Sequence, residues 1–466
     1  MQLPSSLLES LKDVKGFDQE AFEAVHTAQE QVTSIRLNPA KLLNIHPLSH
    51  AAQHSAAGVD RLTFNVAHPV PWSSNGYYLP ERPSFTFDPL FHAGLYYVQE
   101  ASSMFLEQAL LQTTNLSQPL KVLDLCAAPG GKSTLIQSLL PVDSMLVSNE
   151  VIKTRVTILE ENIIKWGAAN VVVTNNDPKD FQRLTDFFDV IVVDAPCSGS
   201  GLFRRDVEAI REWSPQNVEL CSQRQQRILA DVLPALKEGG ILIYSTCSYS
   251  AAENEAVVDW LITDMHMSGR QLAIEREWNI VEAVSGSQGY GYRFYPDKVR
   301  GEGFFIAALQ KRNSSGTYYA GRNKFEKANR QNEELVKCWI REPSAFQYIT
   351  FKDEILALPY GWQEDHFSLL SSMHIKKAGI KIGEVVNGAL VPDHAFAVSG
   401  IVSDQAPRIE LTREEAIQYL RKETMQLPVE GKGWMLVTYN KFPLGWVKML
   451  PNRINNYYPK DWRIRK

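Results

Sequence analysis

Between residues 113 and 312, short runs of β-branched and apolar residues alternate with longer amphipathic stretches, a rhythm that few architectures accommodate. Residues 120–125, 145–148, 170–174, 189–194, 240–245 and 303–309 predict strands, with another glycine-flanked run at 289–295. Residues 132–140, 154–166, 222–236 and 254–265 predict helices. In the second of these, Val156, Leu159, Ile163 and Ile164 share one face. Alternating β and α segments of this length imply a doubly wound α/β sheet. Ligands of such sheets bind outside the carboxyl ends of the strands.

Two of those strand ends carry unusual chemistry. Val190-Ile191-Val192-Val193 runs into Asp194-Ala195-Pro196-Cys197-Ser198-Gly199, and Ile241-Leu242-Ile243 runs into Tyr244-Ser245-Thr246-Cys247-Ser248. Either cysteine alone would be read as a buried strand-end thiol, since free cysteine is among the most buried residue types. Two thiols and a carboxylate at one sheet edge point instead to covalent chemistry on a poorly reactive carbon.

The first strand and first helix frame a second site, Asp124-Leu125-Cys126-Ala127-Ala128-Pro129-Gly130-Gly131-Lys132-Ser133. Small residues let a ligand approach the backbone, and the helix start offers unpaired N–H groups. The loop is not GxGxxG. It also lacks the first glycine of GxxxxGK[ST], Cys126 standing there, which argues against a nucleoside triphosphatase. Glu150 ends the next strand, where an acid can bind a ribose diol, and Asp177 follows the third, where it could accept from an adenine amine. An adenosine without pyrophosphate fits these features, which means S-adenosylmethionine.

The 466 residues allow several domains, and the sequence reading divides them at 1–112, 113–312, 317–380 and 381–466. The first region predicts a helix around 21–31, a short strand at 33–38, a proline-punctuated stretch to Phe91 and an amphipathic helix over 94–111. Asn313-Ser314-Ser315-Gly316 reads as a linker. The segment 317–380 is small and mixed, with basic residues at Arg322, Lys324, Lys327 and Arg330. Residues 381–466 hold glycine-bounded short strands that fit a small barrel.

Five cysteines with no CxxC pair indicate reduced thiols and no metal site. No apolar run approaches the ~20 residues of a membrane span. Residues 1–17 lack a signal-peptide core, so a cytoplasmic monomer is expected. The net charge of −5 conceals a polarity: residues 115–310 carry 18 Lys/Arg and 25 Asp/Glu, whereas 431–466 carry 8 Lys/Arg and one acid. That tail also holds Trp434, Tyr439, Phe442, Trp446, Tyr457, Tyr458 and Trp462. Positive charge interleaved with rings suits RNA, though the same rings could form a core. Arg204 and Arg205, just beyond the first cysteine loop, read as candidate phosphate contacts.

On these residues the chain resembles the RNA cytosine-C5 methyltransferases, most of all the bacterial 16S ribosomal RNA branch with a PUA-like C-terminal domain. The resemblance is carried by the loop 124–133, the preceding segment 94–103, and Arg155, Asn162 and Gly167. It is also carried by the two cysteine loops, Arg293, Pro296, Gly303-Phe304-Phe305, Gly445-Trp446 and the run 455–459. Ser200, Ala252 and Glu302 depart from the usual residues, which touches RNA contact and target choice more than reaction type.

The resemblance implies a Rossmann-like class I methyltransferase core, an N-terminal α+β RNA-binding region, a small mixed accessory domain and a PUA-like RNA-binding domain. It implies Cys247 as the nucleophile, Cys197 as helper in proton removal and product release, and Asp194 at the pyrimidine edge. Cofactor contacts fall to Cys126, Ala127, Ala128, Pro129, Gly130, Gly131, Lys132, Glu150, Arg155, Asp177 and Asp194. Transfer RNA remains the alternative substrate, and a non-catalytic ribosome-assembly factor the alternative class. Amine-directed methylation is disfavoured, because Asp194-Ala195-Pro196-Cys197 replaces the (Asp/Asn)-Pro-Pro-(Tyr/Phe) segment which that chemistry uses.

Overall fold

The computed structural model describes residues 3–28, 30–43, 59–316, 325–425 and 431–465. Its central sheet has ten strands: β1 (Lys121–Asp124), β2 (Met145–Asn149), β3 (Val171–Thr174), β4 (Phe188–Asp194), β5 (Leu236–Thr246), β6 (Met267–Arg270), β7 (Val281–Val284), β8 (Tyr290–Phe294), β9 (Phe304–Lys311) and β10 (Ile375–Ala378). The order is β7-β8-β9-β5-β4-β1-β2-β3-β10, and β6 pairs with β9. Strands β3, β2, β1, β4 and β5 are mutually parallel. Antiparallel β9 and β10 flank them.

Parallel strands buried on both faces read as continuous apolar runs. Alternate residues of one strand feed opposite cores. Leu123, Val147, Ile191 and Leu242 pack on one side, while Val122, Leu146, Val190 and Ile243 pack on the other. The chain winds from β1 through β2 to β3 in one direction and places β4 and β5 on the other side of β1. The loops after β1 and β4 therefore diverge at the switch point, where a cleft must open.

Helices α1 (Gly131–Leu139), α2 (Lys153–Trp166), α3 (Pro215–Val232) and α4 (Glu255–Thr263) cover the sheet. The helix expected over 222–236 starts earlier, because Ser214 caps it by accepting from Asn217 N at 3.1 Å and Pro215 occupies the first turn. It ends at Val232, before the 3-10 turn Leu233–Ala235 that contains Pro234.

The helix expected over 94–111 is three elements instead. Tyr96–Val98 is a strand of the N-terminal sheet, Ser102–Phe105 is a 3-10 turn, and only Leu106–Thr113 is an α-helix. Gly94 at φ +72° begins the excursion, and a Cβ there would lie 1.8 Å from the Lys165 carbonyl oxygen. The N-terminal sheet also contains Ser34–Leu37, Gly76–Tyr78 and His68–Pro69. It is fastened to the central domain by buried Arg36, which donates to Gln99 Oε1 at 2.8 Å and Thr134 Oγ1 at 2.6 Å and stacks 4.6 Å over Trp166.

The division drawn at residue 380 is corrected. Ile380–Val386 pairs with Glu354–Pro359 in a five-stranded sheet that continues to Pro392, so a cut there would sever hydrogen-bonded neighbours. Ile375–Ala378, read with the accessory segment, extends the central sheet as β10. The last sheet is an open one of four strands among the described residues, ordered Arg408–Glu410, Gly433–Tyr439, Phe442–Leu450 and Arg453–Asn456, rather than a barrel. Arg322 and Lys324 lie outside the described residues.

Candidate active site

Strand β1 ends in Asp124, which is fully buried and accepts from Ser133 Oγ at 2.6 Å. Its other oxygen has no hydrogen-bond partner, and burial lifts its carboxyl to about 7. The chain then turns through Cys126-Ala127-Ala128-Pro129 to Gly130, which caps α1 at φ +116°. Two side chains from α2 hold this loop from behind. Arg155 Nη2 donates to the Ala128 carbonyl at 2.6 Å, and Asn162 Nδ2 to the Pro129 carbonyl at 2.8 Å.

Lys132 does not point back to its own loop. Its ammonium lies 2.8 Å from Asp194 Oδ2 at the end of β4. Burial works against its charge, but Asp194 and, more weakly, Cys247 hold its pKa above the ordinary lysine value. The other Asp194 oxygen accepts from Ser245 Oγ on β5 at 2.8 Å, so the start of α1 and the end of β5 converge on one carboxylate.

The two cysteine loops meet. Cys197 Sγ and Cys247 Sγ are 2.9 Å apart, although 50 residues separate them in sequence. All five cysteines are free thiols. The hydrogen bond to Cys247, followed by burial, pushes the Cys197 thiol well above the usual range, which disfavours its ionisation. Burial also raises Cys126, which makes it a poor nucleophile.

A cavity of about 420 Å³ opens at this edge. Cys126–Pro129, Gly131, Lys132 and Arg155 form one wall, and Asp194, Cys247 and Arg205 another. Tyr97, Gln99, Glu100 and Ser103 of the N-terminal region close a third side, and the sequence reading had assigned them no site role. Their signal was the matched segment 94–103, masked by its helical interpretation. A Cβ on Gly131 would come 3.2 Å from the Tyr97 ring, so a glycine keeps that approach open.

Glu150 and Asp177 do not line this cavity. Glu150 is buried at the end of β2, accepting from Ile152 N at 2.9 Å and lying 3.5 Å from Arg155 Nη1. Asp177 caps a 3-10 helix by accepting from Lys179 N at 3.2 Å. The arginine pair also divides. Arg204 is buried, donating to the carbonyls of Gly301 and Glu30, so it is no phosphate-reaching group. Arg205 reaches the cavity, and both arginines flank buried Glu302 at 3.5 and 3.4 Å.

The family model for 16S rRNA methyltransferase RsmB/F matches residues 110–310, and those for the RsmF N-terminal and PUA domains match 3–101 and 406–464. The ribosomal RNA small subunit methyltransferase F of Cronobacter sakazakii is 31% identical over 414 residues, covering 84% of each chain. The chain belongs to the RsmB/F methyltransferase family. Membership makes it an S-adenosylmethionine-dependent RNA methyltransferase with a Rossmann-like core. The Erwinia tasmaniensis relative of the same name is 29% identical over 456 residues, 93% of this chain and 92% of its own. Among solved structures, a methyltransferase homologue from Pyrococcus horikoshii has a TM-score of 0.52 at 27% identity, over 66% of this chain and 100% of its own. NSun6 from Pyrococcus horikoshii, solved with SFG, has a TM-score of 0.52 at 21% identity over 67% of this chain and 99% of its own, a likeness of fold alone.

Proposed function

We propose that the protein methylates carbon 5 of a cytosine in RNA, with 16S ribosomal RNA of the small subunit as the target, through a covalent cysteine–cytosine intermediate. The observation that carries this reading is the approach of two thiols to 2.9 Å, one of which, Cys247, lines the cavity bounded by the loop 126–132 together with the lysine-paired Asp194. The 16S rRNA methyltransferase names of the family model and relatives support the target.

The residues present fit S-adenosylmethionine. Gly131 leaves a cradle that a side chain would crowd, and Asp124, at the start of the loop, keeps a buried oxygen unpaired. The loop 126–132 would hold the cofactor, with Glu150 and Asp177 toward its adenosine end. Bound there, it supplies an electrophilic methyl group.

Carbon 5 of cytosine is too weakly nucleophilic to react unaided. The Cys247 thiolate adds to carbon 6, breaking the 5,6 double bond and leaving an enamine whose carbon 5 is nucleophilic. Lys132 brings positive charge beside this thiolate, and a nearby cation favours the ionised form of a thiol. Asp194 faces the pyrimidine edge and accepts from its amine, held in place by Lys132 and Ser245. After carbon 5 is methylated, solvent water takes its proton, the carbon–hydrogen electron pair re-forms the 5,6 double bond, and the carbon 6–sulfur bond breaks to return the Cys247 thiolate, with Cys197 assisting by hydrogen-bonding the departing sulfur. The hydrogen bond and burial that disfavour ionisation of Cys197 suit it poorly to the first attack, which favours Cys247 as nucleophile.

The C-terminal sheet offers a surface for RNA. Tyr439, Phe442, Trp446 and Tyr458 are buried in core, so only part of the expected ring series is available for stacking. Trp434 and the exposed Tyr457 lie 4.4 Å apart, with Lys448 5.2 Å over Trp434. Stacking plus charge of this kind suits unpaired bases and their phosphates.

The deciding experiment is bisulfite sequencing of unmodified small subunits, naked ribosomal RNA and transfer RNA, each treated separately with protein and S-adenosylmethionine. New 5-methylcytosine at one ribosomal site is expected. Methylation of transfer RNA alone would overturn the target. No methylation anywhere, with cofactor binding confirmed, would overturn the reaction.

A further inference from the structure

Both cysteine loops close over a third side chain that takes no part in the chemistry above. Glu253 is fully buried, in the turn between β5 and α4. From the first loop it accepts Ser198 N at 2.7 Å and Ser198 Oγ at 2.6 Å. From the second it accepts Ser248 Oγ at 2.5 Å. Gln225 of α3 donates to it at 3.3 Å and to the Pro196 carbonyl at 3.1 Å. Four donors on two oxygens are the full complement of an acceptor-only carboxylate.

We propose that Glu253 is a positioning residue that clamps the two cysteine loops together and sets its carboxylate beside Cys197 rather than Cys247, leaving Cys247 as the nucleophile. The inference rests on the reaction proposed above. The next two residues extend the clamp. Asn254 accepts from Thr246 Oγ1 at 2.6 Å and donates to the Ser248 carbonyl at 2.8 Å. Glu255 pairs with buried Arg293, which donates to the Tyr249 carbonyl at 2.8 Å. The run 253–255 thus grips the second cysteine loop from several sides and reaches the first through Ser198.

The clamp also explains the asymmetry of the thiols. A fixed negative charge near Cys197 disfavours a second one on its sulfur, and Glu253 is among the groups that raise it. Among the described residues, Tyr244 from β5, Cys221 and Arg224 from α3, and Asp194 and Lys132 are titratable groups within electrostatic reach of these thiols and their clamp. Within this clamp, Ser198 and Ser248 contact the carboxylate directly.

The test is site-resolved alkylation by iodoacetamide as a function of pH, read by mass spectrometry on the protein without RNA. In the parent protein Cys247 should label at lower pH than Cys197. In Glu253→Gln the Cys197 midpoint should fall by roughly 1–2 pH units, the scale of a removed like charge. The kcat for 5-methylcytosine formation should fall about a hundredfold, as for a misplaced reacting group, with KM for S-adenosylmethionine little changed. Glu253→Asp should restore the labelling order. A folded Glu253→Gln protein with unchanged thiol order would overturn the inference. If that variant does not fold, Ser248→Ala keeps the charge and removes one tether. It should lower kcat while preserving the order, and an unchanged kcat would overturn the clamp. A parent protein that makes no 5-methylcytosine would instead overturn the reaction, independently of the labelling result.

Discussion

Lys132 Nζ sits 2.8 Å from Asp194 Oδ2, so the helix that opens the cofactor loop also delivers a cation to the end of the neighbouring strand. One side chain thereby couples the two halves of the site across the switch point of the sheet. It also lies 5.2 Å over the Phe304 ring, on the opening residue of β9.

Replacing Lys132 with methionine should therefore affect chemistry more than folding. The expected loss is about 10²–10³ in kcat, comparable with removal of a preorganised charge-stabilising donor. The pH–rate profile should move to higher pH, because a thiolate beside a cation loses that cation. Lys132→Arg should recover part of both. A profile that stays in place would show that Lys132 does not act on the nucleophile.

The order of the thiols predicts a trapped species. Cys197→Ala, mixed with RNA and S-adenosylmethionine, should accumulate a protein–RNA adduct that survives denaturing gels, because attack by Cys247 is intact and release is not. Cys247→Ala should form none. The opposite pattern would exchange the two roles.

Gly130 tests the cofactor loop. At φ +116° it adopts a conformation that L side chains rarely take, and an added Cβ would meet Leu159 Cδ1 at 3.3 Å. Gly130→Ala should cost about 1–3 kcal/mol of stability. It should also weaken S-adenosylmethionine binding, measured by titration calorimetry, while leaving the alkylation pattern of the cysteines unchanged. Undiminished binding would exclude the loop as the cofactor cradle.

Lys41 gives a pH signature to the docking of the N-terminal region. It is buried, donates to the Val398 carbonyl, and is pushed down to about 7 by burial. Between pH 7 and its unfolded value near ~10.4 the unfolded chain binds the extra proton, so its contribution makes stability rise with pH across that window. Lys41→Met should flatten this rise and raise the melting temperature near pH 7. Parallel profiles for the two proteins from pH 7 to 9 would refute the assignment.

The C-terminal surface makes a separate claim. Lys448→Ala should weaken RNA binding uniformly and reduce the salt slope by about one ion. Trp434→Ala should cost about 1–3 kcal/mol if a base stacks on that ring. Equal affinity at all salt concentrations would leave the sheet without an RNA role.

The strand ends were legible because buried parallel strands announce themselves locally. Val190–Val193 and Ile241–Ile243 needed only their own side chains to be placed, and the chemistry follows them at once in the chain. The sequence of the loop 124–133 likewise carried its own message, since small residues before a helix have a local backbone meaning. Strands β6, β7 and β10 were not legible. Their pattern is short and partly exposed; β6 and β10 each exist because a distant partner offers an edge, and β7 because the next strand folds back on it as a hairpin. The pairing of Lys132 with Asp194, the burial of Arg204 and the contacts of Glu253 were missed for a related reason. A side chain's neighbours 50 or more residues away have no local signature. By itself, therefore, the sequence determined the doubly wound sheet and the family, and it put forward the residues proposed to bear the chemistry. Only the tertiary structure decided that two thiols meet at 2.9 Å, that Lys132 faces Asp194 rather than its own loop, and that Arg204 is internal. Local periodicity reports burial, whereas ion pairing and proton placement depend on which strand ends the winding of the sheet brings side by side.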